Sequence, residues 1–208
     1  MEARLAHHFR AIETQRHAER LGMWLFLATE VLLFAGLFCG YTLYRYLYPE
    51  TFKLASAHLD VFLGTVNTVV LISSSLTVAL AHHFAHRDRS RMAGVLLFVS
   101  VLAGLAFLGV KAVEYTHKFE EGLLPGRYFH AEGLTAPGAS MFFTVYFLTT
   151  GLHAFHVVVG MGVLVWIGVR AWRGEFHANH SMPVELGGLY WHLVDLVWIF
   201  LYPLLYLV

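Results

Sequence analysis

Five apolar stretches, at residues 21–44, 61–81, 92–116, 140–169 and 187–208, leave this chain few folds to adopt. About 20 residues of helix cross the hydrocarbon of a bilayer, and each stretch is long enough to do so. Lipid offers the backbone no water, so a spanning segment must satisfy its own N–H and C=O groups, as a helix does. The expected fold is all-α: an integral membrane five-helix transmembrane bundle at residues 21–208, preceded by a polar N-terminal arm at residues 1–20. Composition agrees, because 13% charged residues against 58% apolar ones are too few to solvate a soluble domain. The formal net charge is zero, which gives a nucleic acid nothing to bind. The single cysteine, Cys39, can form neither an intrachain disulfide nor a CxxC metal site. No short apolar core precedes residue 21, so no cleavable signal peptide is expected.

Local signals punctuate the runs. Tyr41, Tyr44, Tyr46 and Tyr48 make an interfacial aromatic belt before Pro49 breaks the first helix. Gly122, Pro125 and Gly126 end the third, and a polar loop with Gly133 follows. The fourth stretch exceeds a simple crossing, so it must tilt or protrude. With the N-terminus inside, nine arginines lie on inner segments, among them Arg16, Arg20, Arg87 and Arg170. Only Arg45, Lys53, Lys118 and Arg127 lie on outer ones, with Lys111 left aside as a snorkelling residue. That asymmetry predicts N-terminus inside and C-terminus outside. His7, His8 and His17 of the arm suit a headgroup surface. His82, His83, His86, His177 and His180 read as a solvated inner surface, with a proton-collecting surface as the alternative.

The chemistry-bearing residues are those inside the membrane. Glu30 sits near the middle of the first stretch, where a carboxylate costs roughly 2.5–3.5 kcal/mol on insertion scales. Asn67 and six Ser and Thr residues line the second stretch, suiting close, hydrogen-bonded helix packing. Lys111 and Glu114 are three apart, and Glu114 and Lys118 four apart, spacings that predict an ion pair at the interface. His192 and Asp195 are three apart on the last helix, where the acid can accept from the imidazole and fix its tautomer. Trp191, Trp198 and Tyr202 read as packing and anchoring residues. His153, His156 and His192 raise a haem or copper reading. That reading needs matching depths on facing helices, and the depths of His156 and His192 differ, which disfavours it. Transport by this chain alone is disfavoured by the lack of an internal repeat. What remains is a membrane protein with buried acids that serves as a subunit of something larger.

The sequence resembles subunit III of the haem–copper oxidases, the cytochrome c oxidase subunit III family, in its short five-helix bacterial form. GMWLFLATEVLLFAGLF at 22–38 is similar to the family's acid-bearing helix, with Glu30 at its buried glutamate. NTVVLISSS at 67–75 resembles the Asn-Thr and hydroxyl-rich segment, and Glu114–Tyr115 the Glu-Tyr pair. YFLTTGLHAFHVVVG at 146–160 and YWHLVDLVWIFLYPLLY at 190–206 match the His-x-x-His and Trp-His-x-x-Asp segments. The chain departs from the long form by lacking its first two spans.

The resemblance implies a subunit with no haem or copper of its own, both residing in partner subunits, and with no catalytic residue. It implies subunits I and II as partners, cytochrome c or quinol as a partner only through the complex, and bound phospholipid as a candidate ligand. Oxygen would be reduced to water, and protons pumped, in subunit I of an aerobic respiratory chain in a bacterial plasma membrane. Glu30 matches the family glutamate that reacts with a hydrophobic carbodiimide, and is expected to be a neutral, hydrogen-bonded acid that locks packing or tunes proton uptake. Asn67, Glu114, Tyr115, His153, His156, Trp191, His192 and Asp195 are expected as intramembrane polar, packing or lipid-contact residues. The related third subunits of quinol oxidases and nitric oxide reductases are the alternatives, followed by a cytochrome b-like haem protein.

Overall fold

In the computed structural model, residues 11–130, 137–178 and 180–208 are described. Arg4, His7, His8 and Arg10 of the arm and Gly133 of the loop fall outside them. Six α-helices follow in chain order: α1 Ile12–Leu47, α2 Pro49–Ser56, α3 Val61–His86, α4 Ser90–Glu120, α5 Ala139–Trp172 and α6 Met182–Tyr206. All but α2 are long and apolar enough to cross a membrane. Among the described residues the only strand-like pairing is an isolated bridge between Leu123 and Phe129.

The arm is not separate from the first span. Helix α1 begins at Ile12 and runs unbroken for 36 residues, about 54 Å at 1.5 Å per residue. Nothing between Ile12 and Leu21 breaks a helix, and hydropathy marks only where lipid begins, not where the backbone starts to coil. Pro49 ends α1 as expected but also opens α2 from its first turn, where its missing N–H costs nothing. Helix α2 lies across the bundle end: Phe52 packs edge-on against Phe142 at 5.2 Å, and Thr51 Oγ1 donates to Pro137 O at 3.1 Å.

Helix α4 ends at Gly122 by a left-handed cap. Gly122 takes φ 67°, its N–H reaches Phe119 O at 3.2 Å, and Leu123 N–H reaches Lys118 O at 3.1 Å. This pair of bonds satisfies two carbonyls that the helix end leaves free. The same pattern ends α3, where Asp88 accepts φ 59° in place of glycine.

Helices α3, α4, α5 and α6 form the packed core, while α1 leans on α5 and α6. Contact between α4 and α5 is close enough to require glycine: a Cβ at Gly94 would lie 3.0 Å from Trp172 N and 3.1 Å from Gly168 O. The contact of α3 with α6 is a row of hydroxyls meeting polar aromatic edges. Thr65 Oγ1 bonds Tyr202 OH at 2.7 Å, and Trp198 Nε1 donates to Thr68 Oγ1 at 3.0 Å. Trp191 Nε1 donates to Ser74 Oγ at 3.0 Å, and Ser75 Oγ bonds His192 Nδ1 at 2.6 Å. Each bond removes a polar group that lipid could not have solvated.

Candidate functional site

Two ion arrangements occupy the bundle. The first lies towards the end that carries α2. Lys111, expected to snorkel, is instead buried at 4% exposure. Its ammonium has three N–H donors and uses all three, on Glu114 Oε2 at 3.0 Å, Tyr146 OH at 2.9 Å and Tyr206 OH at 2.9 Å. The two tyrosine hydroxyls donate onward to Glu114 Oε1, at 2.8 Å from Tyr146 and 2.6 Å from Tyr206. The tyrosine rings and Trp198 surround the ammonium, with ring centres between 4.9 and 5.6 Å away, adding cation–π attraction. Beside them Tyr115 OH bonds Thr150 Oγ1 at 2.5 Å. The knot ties α4 to α5 and α6, and its net charge is zero. Helix spacing sets Lys111 against Glu114, but the tyrosines come from helices far away in sequence, so snorkelling was the wrong inference. The expected partner Lys118 turns away from this acid and pairs with Glu121 at 2.7 Å.

The second arrangement is at mid-bundle. Glu30 of α1 meets His156 of α5, with Oε2 2.8 Å from Nε2. His156 Nδ1 lies 2.8 Å from Leu152 O. A carbonyl only accepts, so Nδ1 carries a hydrogen. One proton is then shared between Nε2 and the carboxyl group. Whichever atom holds it, as acid with imidazole or carboxylate with imidazolium, the pair has zero net charge. This neutrality offsets the cost of placing an acid in lipid. The ring of Phe34 packs edge-on to His156 at 5.3 Å. The pair is not sealed: Glu30 and His156 side chains are 15% and 10% exposed. The depths match in the structure, since Glu30 lies 18 residues from the first residue of α1 and His156 lies 16 from the last of α5, but the sequence hid both the start of α1 and its contact with α5.

The remaining predicted residues scatter. The His192–Asp195 bond does not form. His192 Nδ1 reaches across to Ser75 at 2.6 Å, because the helix contact brings that hydroxyl closer than a group on its own helix. Neither Asp195 oxygen has a hydrogen-bond partner, although the residue is only 3% exposed. His153 is fully buried between Phe107 and Trp198, with ring centres 5.5 and 5.2 Å away and both nitrogens unpartnered. Asn67 is also fully buried, with Nδ2 3.5 Å from Phe107 O. Trp191 fills the core between α3, α4 and α5, bonding Ser74 and packing against Gly104 and Gly160. The three histidines therefore do not converge: one faces an acid, one lies among aromatic rings and one bonds a serine.

Among the described residues, the ionic knot and the acid–imidazole pair both serve as ties between helices. They suit a protein that holds its shape in a membrane and presents one ionisable pair at an edge. Comparison with known proteins agrees. Residues 2–208 match the family model described as cytochrome c oxidase subunit III. The chain is 33% identical to cytochrome c oxidase subunit 3 of Latimeria chalumnae, over 90% of this chain and 68% of that protein. It is 23% identical to the probable quinol oxidase subunit 3 of Staphylococcus haemolyticus, over 98% and 97% of the two chains. It is 29% identical to the heme-copper oxidase subunit I+III of Aeropyrum pernix, over 91% of this chain and 22% of that one. The five-span bundle is thus an integral membrane protein of the cytochrome c oxidase subunit III family, a subunit of haem–copper oxidase complexes.

Proposed function

We propose that the chain is the non-redox third subunit of a proton-pumping cytochrome c oxidase in a bacterial plasma membrane, N-terminus inside and C-terminus outside. It packs on catalytic subunit I beside subunit II, steadies subunit I during turnover and supports proton uptake there. Haem and copper belong to the partners, and phospholipid fills the remaining contacts of the bundle.

The observation that carries this reading is the placement of the Glu30–His156 pair. Its acid lies on α1, the helix least embraced by the rest of the bundle, with only Leu27, Phe34 and Tyr41 buried along its length. Leu25 and Leu32 of the same helix are 62% and 71% exposed. A proton-sharing pair at the edge of an apolar face can act on a neighbour, whereas the sealed Lys111–Glu114 knot cannot. The fusion of subunits I and III in the Aeropyrum pernix relative supports subunit I as that neighbour. A quinol oxidase is the second reading, favoured by the relative from Staphylococcus haemolyticus that matches over nearly its whole length.

Purification through a tag on this chain tests the proposal. The expected result is co-purification of a haem-bearing subunit I and a copper-bearing, cytochrome c-docking subunit II. Deleting the chain is expected to leave the initial oxygen-consumption rate nearly intact and to shorten the number of turnovers before inactivation. Co-purification with no haem protein would refute the assignment. Recovery of a quinol-binding complex without the copper-bearing subunit would select the second reading.

A further inference from the structure

At the bundle end that carries the start of α1, α3 ends and α6 begins. His82 and His86 stand one turn apart on α3, their ring centres 4.7 Å apart and their planes at 77°. Glu185 in the first turn of α6 faces them. One ring nitrogen of each histidine and one carboxylate oxygen of Glu185 all lie within 4.8 Å of one another. Two imidazoles and a carboxylate are the donor set of a borderline divalent metal, with bonds near 2.0–2.2 Å. Ligand atoms of a tetrahedral site then stand roughly 3.3 Å apart, so rotation about the side-chain bonds closes the distance without moving a helix.

Two further observations bear on the site. His82 Nδ1 is buried with no hydrogen-bond partner, a basic lone pair or N–H that the surrounding protein leaves unsatisfied. Glu185 already holds a cation: Arg20 of α1 donates to both its oxygens, Nε at 2.8 Å and the terminal nitrogen at 3.1 Å. The Arg20 side chain is 49% exposed and can swing into water, since exposed ion pairs contribute little. The ring of His86 is held by Ser181, with Oγ 3.2 Å from Nε2.

We propose that His82, His86 and Glu185 bind a divalent transition-metal ion of the zinc class, with Arg20 as the competing cation that occupies Glu185 when the metal is absent. Three protein ligands leave a fourth position for water. Metal binding releases Arg20 and with it a side-chain tie between α1 and α6. Hard ions such as magnesium prefer oxygen ligands and are excluded by the imidazoles.

The test uses the detergent-purified membrane complex that contains the chain, stripped with a chelator and titrated with zinc by equilibrium dialysis. Other subunits carry histidines, so the reading is the difference between variants, and it does not depend on which electron donor the complex uses. H86A and E185Q are each expected to weaken one zinc site at least about tenfold, since loss of an outer partner alone costs 10–100-fold. R20A is expected to tighten that site several-fold. H83A, one residue away on α3, is expected to match the wild type, and magnesium is expected not to compete. Wild-type zinc affinity and stoichiometry in both H86A and E185Q would overturn the site. So would an equal loss in H83A, which would mean a diffuse histidine surface. An R20A affinity no tighter than that of the wild type would overturn the exchange.

Discussion

The Lys111–Glu114 knot and the Glu30–His156 pair solve one problem in two ways. Both place a carboxyl group in the membrane beside a basic partner, and both are neutral overall. In the knot all three lysine N–H groups, two tyrosine hydroxyls and both oxygens of Glu114 are engaged. Lys111 and Glu114 are 4% and 2% exposed. The pair at Glu30 has a single bond of 2.8 Å between its two side chains and keeps some exposure on both. A saturated network has nothing left to exchange, so it can only hold helices together. An unsaturated pair with one shared proton can respond to what packs against it.

This contrast sets an order of effects. The largest follows from Glu114→Ala, which strands a buried ammonium. Breaking a buried ion pair on one side costs about 3–5 kcal/mol. Thermal unfolding of the solubilised complex should show early loss of this subunit, and expression should fall. Replacing Lys111 and Glu114 together with Met and Leu should recover most of the loss, because apolar residues of similar volume often replace such pairs at little cost. A double variant as unstable as Glu114→Ala would show that the knot contributes more than charge neutralisation.

Tyr206→Phe should come next. It removes one hydroxyl that accepts from Lys111 and donates to Glu114, and hydrogen bonds to charged groups contribute about 1.5–3 kcal/mol. Tyr146→Phe should behave alike, and the two should not add, since both serve the same atoms. Glu30→Gln should cost about 1 kcal/mol or less, because the amide can still donate to His156 Nε2. The smallest effect is expected from Arg20→Ala, whose ion pair is exposed to water. Its unfolding temperature should match the wild type. A Glu30→Gln change more destabilising than Tyr206→Phe would reverse the comparison.

The helices were legible because the apolar runs are long and the breakers between them strong. Residues 187–208 were expected as the last span, and α6 occupies Met182–Tyr206. The start of α1 was not legible, because hydropathy falls at Leu21 while the helix continues back through nine residues, eight of them charged, polar or small. Helix α2 was hidden by its eight-residue length and its mixed composition, PETFKLAS. Within the site, spacing paired Lys111 with Glu114 as the structure does, but three other inferences failed. Lys111 looked like a snorkelling residue, His192 like the partner of Asp195, and Glu30 like a lone acid. Spacing along one helix reveals only neighbours on that helix. The partners that prevailed, Tyr146 and Tyr206 for Lys111, Ser75 for His192 and His156 for Glu30, lie 35, 95, 117 and 126 positions away. Only the helix packing brings them close.

The central claim is that Glu30 acts on a neighbouring catalytic subunit and takes no part in the chemistry itself. Glu30→Gln in the assembled complex tests it most directly, with oxygen consumption followed from the first turnovers to inactivation and proton release measured alongside. The account predicts an initial rate close to the wild type, with an altered turnover lifetime or altered proton release per electron. Abolished oxygen consumption from the first turnover, in a complex shown to be fully assembled, would contradict it.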